Sequence, residues 1–118
     1  TAEKNLSYHT DAKTFLDYND GQVKPVESGL SLEGKKESLA LLDAAAKRID
    51  FPLPEVSKSV TLEYGEEFRY VVLWTEAGKE FVCVEPWFAQ TDEFNRKDEL
   101  TYIQPKETLK TVLTISAK

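Results

Sequence analysis

The chain has 118 residues, with 21 acidic against 15 basic side chains and a formal charge of −6. That length suits one domain, 1–118, around a single hydrophobic core, and the negative balance, with no basic patch to offset it, argues against nucleic acid or an anionic membrane as partner. One cysteine excludes an intramolecular disulfide and fits a reducing compartment. No signal-peptide pattern is present and the apolar stretches are only strand-length, short of the roughly 20 residues that span a bilayer, so a cytoplasmic protein is expected.

In chain order the signals are mostly those of strands. Residues Thr14 to Tyr18 read as a short strand closed by an Asn19-Asp20-Gly21 turn, and Val23 to Val26 resumes extended. From Glu37 to Arg48, Leu39, Leu42, Ala45, Ala46 and Ile49 fall near helical spacing, which predicts one short helix ended by Pro52 and Pro54. Val56 to Tyr64 alternates as a half-exposed strand. Phe68 to Thr75 and Glu80 to Pro86 flank Ala77-Gly78-Lys79 and predict an apolar hairpin at the heart of the core. Glu99 to Ile103 and Thr108 to Ser116 complete the set, and there is no repeat, linker or low-complexity segment. Several short antiparallel strands with tight turns predict an all-β sandwich rather than a doubly wound sheet.

The chemistry concentrates at Cys83-Val84-Glu85-Pro86-Trp87. Alternation along a strand points Phe81, Cys83 and Glu85 to one sheet face and Val82 and Val84 to the other, so Glu85 interrupts an apolar row. A carboxylate there must be paired, hydrogen-bonded or shifted in pKa, because desolvating its charged form is expensive. Pro86 holds Glu85 extended at the strand end, and Trp87 adds a flat face of the kind that packs against the C–H face of a pyranose. Read on residue types alone, two meanings stay open: a general base beside a sugar platform, or a strand-capping carboxylate beside a core indole.

Other sites are disfavoured. Cys83 lacks a neighbouring cation that would make a reactive thiolate, and no second Cys or His lies at zinc-ligand spacing. The acidic run Asp92 to Asp98 lacks the glycine and final glutamate of a calcium loop and reads as solvated. No phosphate-binding glycine loop or nucleophile elbow is present. Neither a metal nor a cofactor is expected, and Trp74 is expected in the core.

The segments Phe68-Arg69-Tyr70-Val71-Val72-Leu73-Trp74-Thr75 and Gly78-Lys79-Glu80-Phe81-Val82-Cys83-Val84-Glu85-Pro86-Trp87, followed by Leu100, Pro105 and Glu107-Thr108-Leu109, resemble the C-terminal part of aldose 1-epimerases, or galactose mutarotases, over about residues 58–118. Thr91-Asp92-Glu93-Phe94-Asn95 is similar to the Asp- and Asn-rich turn that follows in that family. The resemblance implies about half of a galactose mutarotase-like sandwich. It makes Glu85 the catalytic base and Asp50, in Arg48-Ile49-Asp50-Phe51, an acceptor for sugar hydroxyls, beside the sugar platform that the residue type alone suggests for Trp87. In Asn5-Leu6-Ser7-Tyr8-His9, His9 takes the place of a family histidine that would act as the acid, although Thr10-Asp11 stands where the family has aromatic residues; aligning on Asp11-Ala12-Lys13 puts Asn5 there instead.

The implied activity is interconversion of the α and β anomers of a hexose by acid/base ring opening, without a cofactor. Two alternatives are a catalytically silent carbohydrate-binding or structural β domain and a hexose-6-phosphate 1-epimerase-like enzyme, for which Arg69, Lys79, Arg96 and Lys97 would be the available cations. The implied partners are a small sugar and either the missing N-terminal half or another chain, paired with exposed strand edges.

Overall fold

A computed structural model describes residues 8–30, 32 and 38–118. The first hairpin joins β1 (Thr14–Asp17) to β2 (Gln22–Pro25) through the expected turn, where Gly21 takes a positive φ of 70° that other residues adopt only with strain. Next come β3 (Leu39–Leu41), β4 (Arg48–Leu53) and β5 (Lys58–Tyr64), with a short 3-10 turn, Pro54–Val56, between the last two. The chain ends with β6 (Tyr70–Trp74), β7 (Cys83–Trp87), a four-residue helix α1 (Glu93–Arg96) and β8 (Leu113–Ala117).

The strands form two antiparallel sheets, one in the order β2-β1-β3-β6-β7 and one in the order β4-β5-β8. Phe15, Leu39, Leu41, Val71 and Leu73 from the first meet Ile49, Phe51, Leu62 and Tyr64 from the second in one core, with Val82 and Val84 packed against it. This is the expected all-β sandwich. Burying one face of each sheet removes the apolar half of each alternating strand from water, the main favourable term in folding.

The structure corrects the placement of the helix. The segment assigned to it contains β3, the following loop and the start of β4, although Glu37 lies outside the described residues. β3 is the middle strand of five, so Leu39, Ala40 and Leu41 are all buried and show no two-residue period. Pro52 lies within β4 because that strand is at a sheet edge, where a missing N–H is tolerated. No strand forms at Glu99 to Ile103, and the last strand starts only at Leu113. Among the described residues no helix is long and apolar enough to cross a membrane.

Candidate functional site

Glu85 sits on β7, an edge strand, and the register places Leu16, Ala40, Val72 and Glu85 in one row across four strands. The neighbours Val71, Leu73 and Val84 face the shared core, so alternation turns Glu85 and its row to the outer face of the five-stranded sheet. It stands in the middle of β7 rather than at its end. Pro86 stays inside the strand because it is an edge strand.

The carboxylate is held. The indole Nε1–H of Trp87, two residues along and on the same face, donates to Glu85 Oε2 at 3.0 Å. Of the solutions open to a carboxylate in an apolar row, the fold uses a hydrogen bond. Across the strand pair Trp87 faces Tyr70, Glu85 faces Val72, and Cys83 faces Trp74. Trp74 therefore points outward rather than into the core, its ring 5.3 Å from that of Phe81. A half-buried carboxylate fixed by an indole and bordered by two further aromatic residues can accept a proton from a hydroxyl while ring faces receive apolar C–H groups.

His9 and Asp50 also come together, but elsewhere. Their backbones exchange hydrogen bonds, His9 N–H to Asp50 O at 2.7 Å and Asp50 N–H to His9 O at 3.0 Å. With Thr10, Asp11, Ala46 and Arg48 they line an open depression of about 300 Å³. Asp50 is committed to structure: Arg48 donates to both carboxylate oxygens at 2.8 Å, and the Thr61 hydroxyl donates to Oδ1. The Arg48 hydrogen bonds, then that of Thr61, hold the Asp50 carboxyl below the usual range. Because Ile49 and Phe51 enter the core, Asp50 lies on the outer face of the three-stranded sheet. The pairs Glu85–Trp87 and His9–Asp50 are thus on opposite sides of the sandwich and do not form one constellation. Asn5 lies outside the described residues.

Beyond Trp87 the chain forms a feature that sequence reasoning missed. Phe88, Gln90, Asp92, Glu93, Phe94 and Glu99 are among the residues lining a cavity of about 360 Å³. Glu93, read as part of a solvated acidic loop, is buried on α1 and accepts the Glu99 backbone N–H. Tyr70, the cross-strand partner of Trp87, donates its hydroxyl to Glu99. Burial, then that bond to a carboxylate, raises the Tyr70 phenol above its ordinary value. Arg96 is engaged at 3.6 Å by Glu93 and 3.4 Å by Asp98, and Arg69 donates to the carbonyl oxygens of Glu99 and Phe88. Among the described residues no three His, Cys, Asp or Glu side chains are grouped so as to hold a metal ion.

The fold and this face define an antiparallel β-sandwich with an aromatic-bordered carboxylate on one outer surface. No protein family model matches the sequence. No curated protein matches it either. A solved structure, the Slr1438 protein from Synechocystis sp. PCC 6803, is similar with a TM-score of 0.88 at 22% sequence identity, over 99% of this chain and 40% of its own. The chain thus spans well under half the length of that neighbour, and a likeness at this identity speaks for the fold alone.

Proposed function

We propose that this chain is the C-terminal portion of an aldose 1-epimerase-like protein that interconverts the α and β anomers of a hexose, with Glu85 as the base and Trp87 as the sugar platform. The observation that supports this is the 3.0 Å indole bond to Glu85, which fixes a carboxylate beside a flat ring face. Glu85 takes the proton of the anomeric hydroxyl while the ring oxygen gains one, and the C1–O5 bond breaks to give the open aldehyde. Rotation about C1–C2 and closure on the other face of the carbonyl return both protons and invert the anomer. Acid and base positions of this kind are each worth a hundredfold or more in rate.

His9 and Asp50 sit on the other sheet, so in this reading neither touches the sugar held by Glu85. The acid comes instead from a further polypeptide layer, either the remainder of a longer chain or a partner that pairs with the strand edges. The reaction takes place in the cytoplasm and uses no cofactor, nucleic acid or membrane. The distance of His9 from the Glu85 face favours a second reading, a silent sugar-binding domain that keeps Glu85 and Trp87 as acceptor and platform. Exchange NMR on equilibrated galactose and glucose, with the chain assayed together with that layer, distinguishes the two. Anomer exchange above the buffer rate supports the enzyme, whereas sugar-dependent shifts of the Trp87 indole proton without faster exchange support the binding domain.

A further inference from the structure

The cavity beyond Trp87 is lined by two residues whose second carboxylate oxygens are buried without a hydrogen-bond partner among the described residues. Glu93 is 5% exposed; its Oε1 takes the Glu99 N–H, and its Oε2 has no hydrogen-bond partner among the described residues, with Arg96 Nη1 at 3.6 Å. Glu99 gives one oxygen to the Tyr70 hydroxyl, and its Oε2 is likewise buried without a partner. Both residues line the cavity. A buried carboxylate oxygen without a donor is costly, and native structures normally bring one to it. The remaining wall includes Phe88, Leu100 and Phe94, and Phe94 is 86% exposed although large and apolar. Hydrogen-bond acceptors behind apolar and aromatic surface match a ligand that has hydroxyl donors on some edges and C–H groups on its faces.

The position ties this cavity to Glu85. Trp87 lies two strand residues, about 7 Å, from Glu85, and the chain runs from Trp87 into Phe88 of the cavity wall. Tyr70 links the two places as cross-strand neighbour of Trp87 and donor to Glu99. Charge then selects the ligand. Asp92, Glu93 and Glu99 line the cavity, while Arg96 is held by Glu93 and Asp98, and Arg69 by two carbonyl oxygens. An anion placed here would meet carboxylates.

We propose that this cavity is a subsite for the uncharged, hydroxyl-bearing portion of a sugar extending from the ring at Glu85, so that the protein takes neutral sugars, disaccharides included, and discriminates against hexose phosphates. The placement of the ring rests on the function proposed above; the chemistry of the cavity does not.

The test is a titration of the 118-residue chain with galactose, lactose and glucose 6-phosphate, read by amide NMR shifts and calorimetry and repeated on Phe94→Ala and Glu99→Gln. Phe94 is exposed, so its truncation leaves the fold intact, and circular dichroism verifies both variants. The proposal expects neutral sugars to shift the amides of Gln90, Glu93 and Glu99, lactose to bind more tightly than galactose, and each variant to weaken lactose about tenfold. Glucose 6-phosphate should bind at least about tenfold more weakly than galactose. Unchanged lactose affinity in both variants, equal binding of the phosphate, or a small amine such as ethylammonium occupying the cavity in place of sugar overturns it. If the chain speeds anomer exchange while the cavity amides stay still, the subsite falls and the epimerase reading stands. If lactose shifts those amides and exchange stays at the buffer rate even with the acid-supplying layer present, the epimerase reading falls and the subsite stands. Absence of both sugar binding and exchange, with that layer present, removes both.

Discussion

Glu85 was legible because its neighbours alternate cleanly: Val82 and Val84 belong inside, so the residue between Val84 and Pro86 had to face the other way. The bond from the Trp87 indole was not legible, since it depends on a rotamer and not on spacing. Asp50 shows the converse. Its motif pointed to sugar hydroxyls, while the fold gives its oxygens to Arg48 and Thr61 and turns it to the far sheet. A depressed carboxyl pKa contributes stability that is present above the unfolded value, about 3.9, and lost as pH falls through the lower folded value. Asp50→Asn should therefore lower the melting temperature by a few degrees at pH 7, and the gap to the wild type should close in strong acid. Thermal melts across that range check it, and a gap that persists unchanged in acid contradicts the ion pair as its source.

At the scale of elements, hairpins with polar turns were readable and the middle strand was not. β1, β5 and β6 lie within a few residues of their expected places because one face of each alternates or a turn marks its end. β3 is buried on both faces, and a short run of Leu and Ala reads equally well as helix. Glu93 was missed for a related reason: in an acidic run nothing in the sequence marks the one carboxylate that turns inward to meet a backbone N–H. The strand assignment has a direct energetic consequence. Leu41 is 1% exposed in the shared core, and Leu41→Ala should cost about 2–5 kcal/mol in denaturant unfolding. A loss well under 1 kcal/mol would be that of an exposed helical position rather than of a central strand.

At the scale of the whole molecule, five strands face three among the described residues, where β8 is one edge of the smaller sheet. Its register sets Leu113 and Ile115 beside the buried Tyr64 and Leu62, on the core side, yet Ile115 is 65% exposed. With Val112 and Leu113 also exposed, this edge carries apolar surface of the kind that strands elsewhere cover. The isolated chain should self-associate with rising concentration, and Ile115→Lys should keep it monomeric in sedimentation velocity. A wild type that stays monomeric at high concentration contradicts an edge in need of a partner. The central claim is the role of Glu85, and polarimetry of freshly dissolved α-galactose tests it most directly. The account predicts mutarotation faster than buffer when the chain is assayed together with the layer that supplies the acid, and a loss of about a hundredfold or more in the protein-dependent rate with Glu85→Gln in that assembly; equal rates for the two proteins would contradict it.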